Sequence, residues 1–270
     1  MRNRLCFLLF ASLLISSARA QTAASVVVRD PNAVALAARS LQAMAGITAL
    51  KDITLQANAT YIAGSDEEMG TATLVALGNQ QSLVTLSLTA GQRQELRNRG
   101  AGVWSGPDGT PHALAMHNCI IDPDWFFPAL SLSALAYDPT LIITLVGLES
   151  RAGESVYHLS LYHNLPETIP NVAMLAAQMS AMDLYLDAAS FLPVALDFND
   201  HLDADANTNF VVEIRFGAYQ SFSGVRAPTQ IQKYVQNSLV LNLTISSAMV
   251  NSGVPASVFT LPYIPAGGAQ

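Results

Sequence analysis

The segment FGAYQSFSGVRAPTQIQKY, residues 216–234, decides the fold class of this chain. Apolar and polar residues alternate on both sides of Ser223-Gly224, and a period of two is the pattern of a half-buried β-strand. A Ser-Gly step between two such runs is typical of a tight turn. The segment therefore predicts a β-hairpin that turns at Ser223-Gly224.

Similar alternating runs occupy most of the chain. In the first half we predict strands at 53–61, 71–77, 82–89, 92–98 and around Val103-Trp104. In the second half we predict them at 141–148, 156–162, 182–186, 193–198, 210–219, 228–236 and 239–246. Turn residues separate several runs, as in SGPDGT (105–110), where proline presets one dihedral and glycine accepts a positive one. The spacing predicts an antiparallel meander.

Three segments interrupt this alternation and predict helices. The first begins at Asp30, which caps free amide groups, and ends at Gly46. The second is a short apolar stretch over 125–135, capped by Asp122-Pro123-Asp124 and limited at its start by Pro128, and the third begins at Pro170. The first helix carries apolar residues at helical spacing: Val34, Ala37, Leu41 and Met44. Many strands and few helices predict an α+β fold, a strongly curved antiparallel sheet whose concave apolar face is covered by the helices.

Apolar side chains on that concave face are the candidate ligand-binding residues. They are Trp125, Phe126, Phe127, Leu130, Ile214, Phe216, Leu241 and Leu243. The aromatic run WFF (125–127) has two interpretations. Core packing is the more usual role of aromatic residues on a short helix, and the alternative is a lid over an apolar cavity.

The first twenty residues predict a secretory signal peptide. Arg2 and Arg4 precede a short apolar run, and Ala18-Arg19-Ala20 is a small-residue cleavage pattern. The run is too short for a membrane-spanning helix. We therefore expect an exported, periplasmic or secreted protein without a transmembrane segment, with one domain over 21–265 and a disordered tail at 266–270.

Charge and cysteine content narrow the functional classes. Beyond residue 20 the chain has 10 basic and 20 acidic side chains, a formal charge of −10, which disfavours nucleic acid and anionic membrane surfaces. Cys119 is then the one cysteine left, so no internal disulfide forms. Only 12% of the residues are charged, which suggests that some apolar surface lines a cavity.

Histidine and cysteine residues form no recognisable catalytic or metal motif. His117 and Cys119 lie two residues apart, but no third orienting group is evident, so an inert thiol is favoured. The set His112, His117, Cys119 and Asp122 matches no compact ligand spacing. We predict no catalytic residue, metal or cofactor.

The stretch DADANTN (203–209) resembles the opening of a calcium loop. An EF-hand requires glycine in place of Thr208 and a carboxylate in place of Ile214. A solvated hairpin loop is therefore the favoured interpretation.

Several short motifs together resemble the LolA-like family of periplasmic lipoprotein-binding proteins, which includes LolA, LolB and the N-terminal domain of RseB. The motifs are MDLYLD (182–187), Leu192-Pro193, FGAY (216–219), Gly224, Pro228, Ile231, VFTLP (258–262) and the helix end Met44-Ala45-Gly46. The resemblance implies an unclosed β-barrel, a half-barrel with helices as a lid, that binds acyl chains or other hydrophobic ligands. No residue matches a specific carrier-type arginine.

Two functions remain open at this point. The first is a non-enzymatic exported protein that binds a lipid, an acyl group of a lipoprotein or another hydrophobic ligand. The alternative is a cell-envelope interaction or sensor domain with a packed core and no ligand cavity. The sequence identifies neither the ligand nor the oligomeric state.

Overall fold

One antiparallel sheet of thirteen strands dominates the computed structural model, which describes residues 28–165 and 170–264. The first six strands are β1 (Asp52–Ala63), β2 (Asp66–Leu77), β3 (Gln81–Leu88), β4 (Gly91–Asn98), β5 (Ala101–Ser105) and β6 (Pro111–Ala113). The other seven are β7 (Leu141–Arg151), β8 (Glu154–His163), β9 (Met182–Asp187), β10 (Pro193–Leu202), β11 (Asp205–Phe222), β12 (Val225–Val235) and β13 (Ser238–Val250). Every predicted strand is present, and β6 is additional. The predicted signal peptide and tail lie outside the described residues.

The strands follow the order β6-β5-β4-β3-β2-β1-β13-β12-β11-β10-β9-β8-β7. Each half of the chain forms a meander, and the two meanders join where β1 pairs with β13. Within the described ranges, β6 and β7 each pair with a single strand, so the sheet is open at both edges. The predicted α+β architecture, a strongly curved and unclosed antiparallel sheet with helices, is confirmed.

The hairpin predicted over residues 216–234 is present. Strands β11 and β12 pair with Phe216 opposite Ile231, and the turn residues Ser223 and Gly224 have φ values of 52° and 89°. Positive φ at both central residues gives a turn whose twist matches that of the flanking strands. The predicted loop over 203–209 is shorter than expected, because residues 203–204 alone connect β10 to β11 and 205–209 belong to β11.

Helix α1 (Pro31–Ala45) begins and ends where predicted. The Asp30 side chain caps its first turn, and Gly46 ends it with a φ of 59°. Of the predicted apolar positions, Ala37 and Met44 are buried and Leu41 is partly buried, but Val34 is exposed. The residues that face the interior include Ala33, Leu36, Ala37, Ser40 and Met44. Small side chains at the buried positions let the helix approach β7 and β12 closely.

The second helix is shorter than predicted, and within its predicted cap only Asp124 contacts the helix, so the capping role given to Asp122 is wrong. Helix α2 covers only Ala129–Ala134, since Trp125 to Phe127 lie in turns ahead of Pro128. The Asp124 carboxylate, not that of Asp122, accepts hydrogen bonds from the Ser131 amide (2.9 Å) and hydroxyl (2.7 Å). The Asp122 carboxylate contacts His163 instead. Helix α3 (Pro170–Met179) begins at the predicted proline.

The buried residues on the concave face of β1 and β2 include several with small side chains. Ala57, Ala59 and Ala72 are buried there. Gly70 lies so close to β3 that an added Cβ would be 1.9 Å from the carbonyl oxygen of Ser87. Such an approach is open only to glycine. Strand pairs can therefore bend tightly at this position.

Candidate functional site

The concave face of the sheet contains a cleft of about 440 Å³ between its two halves. The cleft is bordered by β1, β3, β4 and β5 on one side and by β12 and β13 on the other. Its aliphatic and tyrosine lining is Tyr61, Val84, Leu86, Val235, Val240 and Leu241. This volume falls within the range of about 300–1,000 Å³ that is common for small-molecule sites.

Strand pairing explains why these side chains meet. Tyr61 of β1 lies opposite Leu241 of β13, and Leu241 lies opposite Lys233 of β12. Residues directly opposite each other point to the same face of a sheet. The three side chains therefore form one row across the concave face, and strand pairing places Tyr61 beside Lys233 although they are 172 positions apart in the chain.

Two tryptophans complete the apolar wall. Trp104 of β5 lies opposite Glu95 and stacks on His112 with ring centroids 4.5 Å apart. Trp125 enters from the segment before α2, and its ring contacts Phe126 edge to face at 5.4 Å. Both indoles line the cleft. Aromatic faces of this kind favour contact with an apolar ligand.

Three charged residues also line the cleft: Arg93, Glu95 and Lys233. The Arg93 guanidinium binds Glu68 at 2.6 Å and lies 4.7 Å from the centre of the Tyr61 ring. Burial alone would raise the pKa of Glu95, but Arg97, whose Nε is 2.7 Å from the Glu95 carboxylate, and Lys233 outweigh burial and lower it. Glu95 is therefore ionised and paired at neutral pH.

A polar bridge connects the two halves of the sheet beside the cleft. The Arg97 guanidinium donates to the carbonyl of Asn118 at 2.5 Å. The Asn118 amide group in turn donates to the His201 carbonyl (2.8 Å) and accepts from the His201 amide (2.9 Å). The segment around Asn118 thus ties β4 to the end of β10. Since these bonds are buried, breaking them would leave costly unsatisfied groups.

The structure separates the sequence-predicted site residues into two groups. Trp125 and Leu241 line the cleft. The others lie in the packed core, with at most 7% of their surface exposed: Phe126, Phe127, Leu130, Ile214, Phe216 and Leu243. The aromatic run therefore contributes mainly to packing, and only its first ring reaches the cleft.

Sequence reasoning missed the charged residues of the cleft, although one signal was readable. Lys233 alternates in phase with Ile231 and Val235 on β12, so the period of two places a cation on the apolar face. Arg93 and Glu95 likewise share one face of β4. The distance from Arg93 and Glu95 to β12 depends on how strongly the sheet curves. The local sequence pattern carries no information about that curvature.

Asp122 belongs to a buried polar cluster outside the cleft. Its carboxylate is 2.8 Å from His163 Nε2 and accepts from the Asn79 side chain at 3.1 Å. His163 Nδ1 contacts the Thr140 hydroxyl at 3.0 Å, and that hydroxyl donates to Asp138 at 2.7 Å. Burial would lower the pKa of His163, but Asp122 and the neighbouring carboxylates raise it. A protonated imidazole donates from both nitrogens, so this cluster acts as a structural ion pair.

The remaining histidine and cysteine candidates do not converge. Burial raises the pKa of the Cys119 thiol, which disfavours the nucleophilic thiolate. His117 contacts the carbonyl of Leu202 at 3.0 Å, and His112 stacks on Trp104. Over 28–165 and 170–264, no group of three or more His, Cys, Asp or Glu residues is placed to hold a metal ion. In the same residues, no helix is long and apolar enough to span a membrane.

Comparison with known proteins identifies the fold. No family model matches the sequence, and no curated protein does. The crystal structure of a LolA superfamily protein from Nitrosomonas europaea covers 85% of this chain and 97% of its own length, with a TM-score of 0.54 and 14% identity. A DUF1329 family protein from Desulfovibrio piger covers 85% and 96%, with a TM-score of 0.51 and 12% identity.

The fold is LolA-like. The similarity extends over most of the described residues, so the resemblance drawn from short sequence motifs holds at the level of the fold. In this chain the LolA-like fold keeps its concave side partly filled by Phe126 and Phe127 and leaves the 440 Å³ cleft at one side.

Proposed function

We propose that this protein is an exported, non-enzymatic binder of a lipid, an acyl chain or a similar hydrophobic ligand, and that the ligand occupies the concave-face cleft. The observation that carries the proposal is the cleft itself, about 440 Å³ in volume and lined largely by apolar and aromatic side chains. Burying an acyl chain there contributes about 0.8 kcal/mol per methylene group. The LolA-like fold and the predicted signal peptide support the same function.

A packed interaction or sensor domain is the second candidate. Phe126, Phe127 and Leu130 are fully or almost fully buried, and this solid packing favours a domain that contacts a partner with its surface. Native mass spectrometry of the protein purified from its own source separates the two functions. A mass excess that delipidation removes supports the binder, whereas equal masses before and after delipidation favour the second candidate.

A cleft-filling variant tests the location of the ligand. Val235 lines the cleft and is only partly buried, so Val235→Trp should fill part of the volume and reduce uptake of the neutral fluorophore N-phenyl-naphthylamine several-fold. The matched control is Val211→Trp on β11, where the side chain is 48% exposed. Equal uptake by the two variants and the unmodified protein would place the ligand elsewhere.

A further inference from the structure

The charged groups around the cleft are not equally satisfied. Arg93 is paired with Glu68 at 2.6 Å, and Glu95 is paired with Arg97 at 2.7 Å. The closest carboxylate oxygen to Lys233 Nζ belongs to Asp200 and is 4.0 Å away. That separation is too long for a hydrogen bond. Of the two cations that line the cleft, Lys233 is therefore the one without a hydrogen bond to a carboxylate in the described part of the chain.

The surroundings of Lys233 are unusually apolar for an ammonium group. Its Nζ lies 5.4 Å from the centre of the Trp125 ring and 6.0 Å from that of Phe198. Its cross-strand neighbours are Ile214 and Leu241, and only 20% of the side chain is exposed. Holding a poorly paired charge in such a place costs free energy. A ligand that supplies a hydrogen-bond acceptor to Lys233 would offset part of this free-energy cost.

We infer that the ligand is an amphiphile with an acidic head group, and that Lys233 binds this head group while the acyl chain occupies the apolar part of the cleft. This inference rests on the proposed function and narrows its ligand class. The head group competes with Asp200, which holds Lys233 only through a long contact. Arg93 and Glu95 stay in their existing pairs, so the head group meets the one cation of the cleft that has no hydrogen-bonded carboxylate.

The test compares dodecanoic acid with dodecanol, which share a chain length and differ in charge. Displacement of N-phenyl-naphthylamine at about pH 8 gives both affinities. A hydrogen bond to a charged group is worth about tenfold or more in affinity, so the acid should bind about tenfold more tightly than the alcohol. Lys233→Met should remove this preference and leave dodecanol binding unchanged.

The chain offers a matched control, because Lys51 is its one other lysine and is exposed. Lys51→Met makes the same change in net charge and should alter neither affinity. Asp200→Asn removes the competing carboxylate and should tighten binding of the acid alone. This second variant keeps the test decisive if Lys233→Met fails to fold.

The possible outcomes separate the inference from the proposed function. If the unmodified protein binds both ligands equally, or Lys233→Met weakens both by the same factor, the inference is wrong and the hydrophobic binder survives. Unchanged acid binding in Asp200→Asn together with an unchanged preference in Lys233→Met also overturns it. If neither ligand displaces the fluorophore from the unmodified protein, the proposed function fails and the inference fails with it.

Discussion

At the residue scale, the buried carboxylates near α2 determine how stability depends on pH. Burial, and next the charge of Asp122, raises the pKa of Asp124 to about 8. The folded protein therefore keeps a proton that the unfolded chain releases above about pH 4. The stabilisation that comes from protonated Asp124 is complete at low pH and is lost as the pH rises toward 8.

The raised pKa of Asp124 gives the free energy of unfolding a measurable dependence on pH. Between about pH 5 and 6.5, one extra proton on the folded state lowers the free energy of unfolding by about 1.4 kcal/mol per pH unit. Asp124→Asn removes the ionisable group, so denaturant titrations should show a decline smaller by about 2 kcal/mol over this window. The raised pKa of His163 contributes only above about 6.5.

Asp108→Asn is the matched control, because Asp108 is exposed and its pKa is lowered mainly by the Thr110 side chain. A lowered pKa affects stability only below about pH 4, so this variant should keep the original slope between pH 5 and 6.5. An identical slope in Asp124→Asn would mean that Asp124 is ionised in the folded protein.

Sequence patterns predicted single residues well only where a local rule decides them. Asp30 and Gly46 were predicted correctly because a helix cap and a helix end depend on adjacent backbone groups. Asp122 was assigned to a cap by the same rule, but His163, 41 residues away, takes its carboxylate. His163 is brought to Asp122 by tertiary structure, so the spacing of residues along the chain does not predict this contact.

At the element scale, the close approach of β2 and β3 depends on the absence of a side chain at Gly70. Gly70→Ala would place a methyl group 1.9 Å from the backbone oxygen of Ser87, and backbone atoms relax only by moving the strand. We expect the free energy of unfolding to fall by about 1–3 kcal/mol or more. Thermal and denaturant unfolding measure it.

Gly147→Ala on β7 is the matched control, since nothing lies within 4 Å of the added Cβ and the φ angle is not positive. Such a change is neutral or stabilises by up to about 1 kcal/mol through the unfolded chain. Equal losses in the two alanine variants would show that the close approach of β2 and β3 at Gly70 has no particular effect on stability.

Elements were more predictable than the contacts between them. The alternation of apolar and polar residues predicts every strand except β6, because any half-buried strand has a period of two. Strand β6 has only three residues, which is too short for a period to be recognised. The buried face of α1 follows the predicted pattern at Ala37 and Met44 and departs from it at Val34, since Ala33 is the residue that packs inward there. The apolar composition of the turns ahead of α2 fits a helix as well as a turn.

At the scale of the whole molecule, the cleft lies on the concave face where the two meanders join through the pairing of β1 with β13. Its walls come from strands at both ends of the chain, and Arg97, Asn118 and His201 tie the two halves together. The fold class followed from the alternation, but the size of the cleft is set by how far the sheet curls and how far Trp125 enters. Those are properties of the assembled sheet.

The most direct test of a ligand-binding cleft is a crystal structure of the protein with dodecanoic acid brominated at its chain end. We predict an anomalous bromine peak and continuous chain density inside the cleft, between Tyr61, Leu86 and Leu241. An empty cleft at saturating ligand, or a chain bound on another surface such as the exposed side of α3, would contradict the account.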